Sequence, residues 1–370
     1  PQTVVYPRQP GATGFANNQR GADAPQQARE KTMSKSPKAD RRSFLQILGA
    51  LGIGAGISGA PRAMSSNMAF KDWPSMPRRK LGRTGFDGSR LVFGCGAALA
   101  NGTANELLGP ALEAGINVFD VGTSRYYKNA EKNLGPFINK LRDRAFLISK
   151  AMLYVDIDAN EEADVKTAKA AAKTWSGLLD ESLGQLQTDH VDAYYIMAAN
   201  NPSLVRSEEL RNAFLAARKA GKVSHWGIST HENAENVMAA AVETGWYDLM
   251  QIAITPAGWY DWNSKSIVEG SPDLIGLAPK LQAARDAGIG LIGMKAGRHL
   301  AGRWWTGGGE ATVYDKHYSP ALLKAGLNEF QRSYAYVLAH GLDAVNADMQ
   351  SFAHLQQNFA AAAQADRWIA

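Results

Sequence analysis

Three kinds of side chain that together could move a proton follow apolar segments of this chain. Asp120 comes directly after the apolar run 116–119, Lys150 ends a second apolar run, and Tyr126 and Tyr127 lie a few residues beyond Asp120. A phenol with a pKa of about 10 exchanges its proton near neutral pH only when a cation stabilises the phenolate. A lysine supplies that cation, and a carboxylate holds the lysine in place. Such a set could supply the proton that reduction of a carbonyl by hydride requires.

The elements that must position these side chains are short apolar runs that alternate with amphipathic stretches, which is typical of βα units around a parallel sheet. The predicted strands are 91–94, 116–120, 145–150, 191–197, 223–229, 248–254, 289–294 and 343–346. The predicted helices are 104–114, 129–141, 163–185, 207–220, 233–244, 276–287, 325–340 and 351–364. Eight such units predict an α/β fold of the (β/α)8 TIM-barrel type. The alternative, a doubly wound sheet, needs a glycine fingerprint at its first turn, which the sequence lacks.

The residues before the barrel predict a leader and an export signal. Residues 1–39 are poor in large apolar side chains and are predicted to be disordered, with Met33 an alternative natural start. Segment 40–63 has paired arginines, Arg41 and Arg42, before an apolar run, and it resembles a twin-arginine export signal. That resemblance implies the Tat translocase as a partner and the periplasm or cell envelope as location. The alternative is a membrane anchor, but the run is shorter than the ~20 residues that span a bilayer.

The folded body is predicted to be one domain, 74–370, that opens with a β-hairpin between residues 76 and 96. Residues 1–60 carry eight Lys or Arg and three Asp or Glu, so they account for the whole net charge of +5. A formally neutral body argues against a nucleic-acid partner. The single cysteine, Cys95, excludes an intrachain disulfide, and no histidine spacing predicts a metal site.

Segment 115–135 resembles the signature of the aldo/keto reductase family. The residues that carry the resemblance are Phe119, Asp120, Tyr127, Glu131, Leu134 and Gly135, and segment 76–96 resembles the opening of the same family. The resemblance implies Tyr127 as the acid/base, Lys150 as the group that tunes its pKa, and Asp120 as the partner of the lysine. The loop after Asp120 is about two residues longer than is usual in the family, so Tyr126 stays an alternative to Tyr127.

One position departs from the family pattern. Where relatives place a histidine that orients the substrate carbonyl, this chain has Met197. A thioether cannot donate a hydrogen bond, and loss of a polarising donor typically costs on the order of 10²–10³ in rate. Either His231 or Asn200 supplies the donor, or the barrel binds ligands without efficient turnover; Met197 as ordinary core filling is a third reading.

The resemblance also implies a nicotinamide cofactor, NADP or NAD. The residues implied to bind it are Ser229, Thr230, Gln251 and Met294 at the nicotinamide end, and Met349, Ser351, His354 and Asn358 at the adenosine end. A helix that begins near Ser351 would present free N–H groups to a phosphate. The arginine that many relatives use for the 2′-phosphate is absent, and His354 lies near its place.

Two stretches, 257–273 and 296–320, are longer than ordinary βα loops, and such loops are often functional. They contain the aromatic residues Trp259, Tyr260, Trp262, Trp304 and Trp305. These side chains either stack on a sugar or ring substrate or form an apolar lid. The sequence thus predicts an exported NAD(P)-linked oxidoreductase acting on a carbonyl or alcohol, and the alternative is a degenerate barrel that binds a nucleotide or sugar as a sensor or complex subunit.

Overall fold

The structure, a computed structural model, describes residues 73–102, 104–302 and 309–369. Its strands in chain order are β1 (Arg78–Lys80), β2 (Asp87–Ser89), β3 (Leu91–Gly94), β4 (Val118–Asp120), β5 (Phe146–Met152), β6 (Val191–Met197), β7 (Val223–Thr230), β8 (Leu249–Thr255), β9 (Gly258–Asp261), β10 (Ser266–Ile267), β11 (Gly290–Met294) and β12 (Ala344–Asp348). Its α-helices are Cys95–Leu99, Leu108–Glu113, Ser124–Tyr127, Ala130–Ile138, Val165–Leu186, Pro202–Val205, Glu208–Lys219, Ala234–Thr244, Ala278–Asp286, Pro320–Leu323, Glu329–Ala339 and Phe352–Gln364.

Eight of these strands pair in parallel around a closed ring. The order runs β3, β4, β5, β6, β7, β8, β11, β12 and returns to β3. The predicted (β/α)8 barrel is confirmed, and so is the hairpin before it, because β1 and β2 pair antiparallel. The predicted leader 1–39 and signal segment 40–63 lie outside the described residues, as do Trp304 and Trp305.

Alternate side chains of each barrel strand face the interior. They form a buried layer of Val92, Val118, Phe146, Ile148, Ala193, Tyr195, Leu249, Ile292 and Ala344. Residues two positions further along the same strands lie one layer closer to the carboxyl ends. That upper layer includes Asp120, Lys150, Met197, Gln251 and Asn346, so the barrel brings polar groups from distant parts of the sequence to one place.

The hairpin closes the opposite, amino-terminal end of the barrel. Leu81 and Phe86, from the turn between β1 and β2, pack against the interior layer, and the Phe86 ring lies 5.0 Å from that of Phe146. The chain approaches so closely there that a Cβ on Gly290 would lie 2.7 Å from the backbone nitrogen of Gly82. Any side chain at position 290 would therefore displace the hairpin.

Two local predictions needed correction. The predicted strand 116–120 begins only at Val118, because the Asn117 N–H donates to the Ser89 hydroxyl of the hairpin, at 3.2 Å. The Asn117 side chain also bonds the hairpin, accepting from the Ser89 N–H at 2.7 Å and donating to Asp87 O at 3.0 Å. The predicted loop 257–273 contains the short antiparallel hairpin β9–β10, which extends from β8.

None of the helices in the described part of the chain is both long and apolar enough to cross a membrane.

Candidate active site

A buried ion pair lies at the carboxyl-terminal mouth of the barrel. The Lys150 Nζ donates to Oδ1 of Asp120 and, at 2.7 Å, to the carbonyl of Val121. Only 5% of the Lys150 side chain and 6% of the Asp120 side chain are exposed. Removing one partner of such a pair leaves an uncompensated buried charge, which is strongly unfavourable. The strand-end lysine and carboxylate of the sequence analysis therefore meet.

The second oxygen of Asp120 is held by two amides. Gln251 Nε2 donates to Oδ2 at 3.2 Å, and Asn346 Nδ2 donates to the same oxygen. Three strands, β5, β8 and β12, thus hold one carboxylate that a fourth strand, β4, presents. These charge-assisted hydrogen bonds fix the orientation of Asp120 and through it the position of the Lys150 ammonium.

Tyr127 lies beside this pair on the short helix Ser124–Tyr127, whose first turn is capped by the Thr123 hydroxyl. A Cβ on Gly122 would lie 3.2 Å from the Tyr127 ring and 3.6 Å from Cβ of Lys150, so the phenol and the lysine flank one glycine. The Tyr127 hydroxyl makes no hydrogen bond to any residue that the structure describes. Burial first, and then the Asp120 carboxylate, raise the pKa of Tyr127 above its ordinary value. The phenol is accordingly in its protonated, proton-donating form.

Tyr126 has a different environment. Its side chain is 48% exposed, and its ring contacts the Tyr127 ring edge-on, with the centroids 4.8 Å apart. Tyr126 therefore covers the outside of Tyr127, and the role of acid/base at Tyr127 stays a prediction that this arrangement favours.

Glu131 connects the tyrosine segment to the lysine strand. Its carboxylate is fully buried and accepts from the Ser124 N–H at 3.1 Å and from the Ser149 hydroxyl at 2.7 Å. Burial raises the pKa of Glu131. Since Ser149 precedes Lys150 and Ser124 begins the helix of Tyr127, Glu131 fixes the Tyr127 helix relative to the Lys150 strand.

The residues predicted for the nicotinamide lie around the same mouth. Ser229 and Thr230 end β7, and Gln251 of β8 lies opposite Ser229 in the register of the two strands. Neither the Ser229 hydroxyl nor the Gln251 Oε1 has a hydrogen-bond partner among the described residues. A hydroxyl and an amide oxygen can satisfy the acceptor and the donor of a carboxamide, so this pair fits the group predicted there. Met294, at the end of β11, packs with Ala253 and Tyr260.

The residues predicted for the adenosine end differ in their exposure to solvent. Ser351 caps the helix Phe352–Gln364, accepting from the His354 N–H at 3.3 Å, and His354 is exposed. Met349 is fully buried in the main core and Asn358 is almost fully buried. The helix start is thus where the sequence predicted it, and binding by these four residues stays a prediction.

Comparison with known proteins agrees with this geometry. The model of the aldo/keto reductase family matches residues 88–259. A protein named aldo-keto reductase from Gibberella moniliformis is 32% identical over 170 residues, which are 45% of this chain and 46% of that protein. The match to the Gibberella protein spans about half of its length.

Solved structures of aldo/keto reductases share the fold. A Pseudomonas aeruginosa protein proposed to be an aldo-keto reductase is 19% identical, with a TM-score of 0.54 over 79% of this chain and 97% of its own. An aldo-keto reductase from Bacillus halodurans, in its holo form, is 20% identical, with a TM-score of 0.56 over 77% of this chain and 90% of its own. At these identities the likeness shows the fold alone.

Within the barrel, Met197 is buried at the end of β6, opposite Met152 of β5. It belongs to the upper, inward-facing layer and not to the apolar clusters of the core. His231, one of the two residues proposed to replace the missing imidazole, lies just beyond β7. Burial, and then the charge of Lys295, lower the pKa of His231 to about 3, so the ring is neutral. The backbone carbonyl of the other, Asn200, accepts from the Asn233 side-chain amide at 2.9 Å, a bond that does not involve the Asn200 side chain.

Some aromatic residues of the long loop 257–273 lie in the core, and others lie at the mouth of the barrel. Trp259 is buried in the main core, whereas Tyr260 packs on Met294 with the half-buried Trp262 beside them. In the part of the chain that the structure describes, no group of three or more His, Cys, Asp or Glu side chains could hold a metal ion.

Asn346 is the site residue that the sequence analysis missed. It is the one polar position within the apolar start of the last strand, Ala344–Ala347, and it has the same alternation as the interior residue Ala344. A polar side chain at an inward position of a buried strand needs a hydrogen-bond partner. That requirement was the available signal.

Proposed function

We propose that this protein is a nicotinamide-dependent oxidoreductase that interconverts a carbonyl and an alcohol. The observation that carries the proposal is the buried Asp120–Lys150 pair at the mouth of the barrel, with the Tyr127 ring across Gly122 from the Lys150 side chain. The cofactor, NADP or NAD, would supply or accept the hydride, and Ser229 and Gln251 would hold its carboxamide. The small-molecule substrate is a carbonyl compound or alcohol, with a sugar as one option.

The protein groups act on the proton. Tyr127 donates its proton to the substrate oxygen as that oxygen gains charge, and takes the proton back in the alcohol direction. The Lys150 side chain lies across Gly122 from the Tyr127 ring, and its ammonium would lower the cost of the transient phenolate, because a nearby opposite charge favours the charged form of the phenol. Asp120, fixed by the amides of Gln251 and Asn346, keeps the ammonium in place.

The experiment is a paired measurement of cofactor binding and turnover. We expect the fluorescence of the purified protein to be quenched on titration with NADPH or NADH. We also expect the protein to oxidise one of these cofactors while it reduces 4-nitrobenzaldehyde. Lys150→Met is expected to lower turnover by at least about 100-fold, which is the rate contribution typical of general acid–base catalysis. Lys166→Met, on an exposed helix position, is the matched control. Turnover in Lys150→Met equal to that of the control would contradict the proposal.

A second candidate is a degenerate barrel that binds a nucleotide or sugar as a sensor or complex subunit. Met197 favours it, because a buried thioether offers no donor to a substrate carbonyl. Saturable cofactor binding without reduction of any aldehyde in a broad panel would select this candidate over the first.

The sequence before the barrel supports a proposal on location. We propose export to the periplasm or cell envelope by the Tat translocase, on the basis of Arg41 and Arg42 and the apolar run after them. Tat substrates cross the membrane already folded, which would allow cofactor to be loaded before export. Replacing both arginines by lysine is expected to retain the protein in the cytoplasm, and unchanged fractionation would contradict this.

A further inference from the structure

Three cations converge on one indole ring at the mouth. The Nζ atoms of Lys265 and Lys295 lie 3.1 and 4.3 Å from the ring centroid of Trp262, and the guanidinium carbon of Arg298 lies 5.9 Å from it. Trp262 and Lys265 belong to the turn between β9 and β10, whereas Lys295 and Arg298 follow β11. Cation–π attraction helps to hold them there.

The positive charges of this cluster are not paired. Among the described residues, none of the three cations has a carboxylate within 4.0 Å. Asp261 and Asp348 act on the cluster from nearby, but Asp261 accepts from the N–H groups of Asn263 and Ser264, at 2.8 and 3.2 Å. Asp348 accepts from the Gln350 amide at 2.7 Å. Asp261 and Asp348 are therefore engaged in their own turns, and Glu232, the third carboxylate that acts on Lys265, forms no ion pair with it.

The three positive charges repel one another at a position that is partly shielded from solvent. Burial, and then Arg298, lower the pKa of Lys295 to about 8. An anion bound between the cations would relieve this repulsion and replace the lost solvation. The cluster therefore has the charge, the desolvation and the convergence that an anion site needs.

The cluster borders the space above the ion pair. Trp262 packs against Ala253, near the end of β8, and Met294, at the end of β11. The Lys150 charge also helps to lower the pKa values of Lys295 and His231. The His231 ring lies 5.8 Å from the Trp262 ring. The cations thus lie on the β7–β9–β11 side of the mouth, around an indole and a neutral imidazole that can contact the body of a substrate.

We propose that Lys265, Lys295 and Arg298 bind the anionic group, a carboxylate or phosphate, of the substrate whose carbonyl is placed at Tyr127. The proposal rests on the proposed function and narrows its substrate to acidic carbonyl compounds. The substrate is favoured over the phosphates of a cofactor because Lys265 is contributed by the hairpin β9–β10 beside His231. The residues predicted for the adenosine end, Ser351 and His354, follow β12 instead.

The test compares two aldehydes that differ in one charge. Binding of 4-carboxybenzaldehyde and of its neutral methyl ester is measured by calorimetry, with the protein alone and with the protein saturated with NADP⁺, so that no reduction occurs. We expect the carboxylate to bind at least tenfold more tightly than the ester. Lys265→Gln and Lys295→Gln are each expected to remove most of that preference without changing the affinity for the ester. Lys169→Gln, at an exposed helix position, is the control.

Equal affinities for acid and ester would overturn the proposal. So would a preference that survives both substitutions, or substitutions that weaken only NADP⁺ binding, since the cations would then serve the cofactor. Because binding is read without turnover, a protein that binds the acid selectively but reduces nothing would contradict the proposed function and leave the anion site standing.

Discussion

The side-chain amide of Asn346 reaches across strand β3 to hold Asp120 of β4. Asn346 lies on β12, and the intervening strand presents Gly94 at this level, where a Cβ would come within 2.6 Å of the Asn346 Oδ1. The glycine therefore leaves the space through which the last and the second strands of the ring connect. The position of the buried carboxylate depends on a residue more than 200 positions away in sequence.

Substitution of Asn346 tests this connection. Asn346→Leu removes a hydrogen bond to a charged group, worth about 1.5–3 kcal/mol, and is expected to lower kcat/KM for an aldehyde about tenfold or more. Asn236→Leu, which alters an exposed asparagine bonded to Asn233 at 2.7 Å, is the matched control. If both variants keep the parental kcat/KM, Asn346 does not position Asp120 for catalysis.

Two glycines are expected to respond in opposite directions to alanine. A Cβ on Gly227 would overlap the ring of Tyr195, which is buried below Lys150, whereas a Cβ on Gly177 in the helix Val165–Leu186 meets nothing within 4 Å. Gly227→Ala should destabilise the fold by about 1–3 kcal/mol through overpacking. Gly177→Ala should stabilise it by about 0.5–1 kcal/mol through the helix preference of alanine. Urea unfolding of the two variants measures both, and shifts of the same sign would refute the packing described at Tyr195.

The pH dependence of stability should carry a contribution from His231. Its folded-state pKa of about 3 lies below the value of about 6.5 in an unfolded chain. The unfolded state then binds more protons between these values, so the contribution is fully present above pH of about 6.5 and is lost as the pH falls toward 3. His231→Gln should flatten the fall in unfolding free energy between pH 7 and 4.5, with His354→Gln as the control for loss of one histidine. Parallel curves for the parent and His231→Gln would contradict the burial of this ring.

Met197→His tests whether the missing imidazole limits turnover. A donor at this inward position of β6 could polarise a substrate carbonyl, and a donor of this kind contributes on the order of 10²–10³ in rate. Because the site is buried and shaped around a thioether, we expect a smaller gain in kcat/KM, of about tenfold. No gain in Met197→His, combined with a loss in His231→Gln, would instead assign the donor to His231.

The barrel was predictable from sequence because its signal is local. Apolar runs such as 191–197 and 223–229 are long enough to be buried strands, and the order of the units fixes the ring. The carboxyl ends of parallel strands then meet at one edge, so the proximity of Asp120 and Lys150 follows from topology. The helix start at Ser351 was equally local, since it depends on a capping side chain.

The rest of the site depends on distant contacts that no local pattern encodes. Asn346 reaches Asp120 only because Gly94 leaves space for it. The hairpin β9–β10 reaches the mouth because Tyr260 packs on Met294 at the end of β11. Lys265 and Lys295 are separated by 30 positions and look like ordinary solvated lysines in the sequence. Only the packing of the hairpin on the mouth places both of them on Trp262.

The account depends most directly on Tyr127 as the group that exchanges the proton. The decisive measurement is steady-state reduction of an aldehyde by Tyr127→Phe and Tyr126→Phe, together with the cofactor Kd of each. We predict that Tyr127→Phe loses at least about 100-fold in kcat with its cofactor Kd unchanged, while Tyr126→Phe, altered at an exposed ring, keeps nearly parental turnover. Full activity in Tyr127→Phe, or the loss in Tyr126→Phe instead, would contradict the assignment of the acid/base.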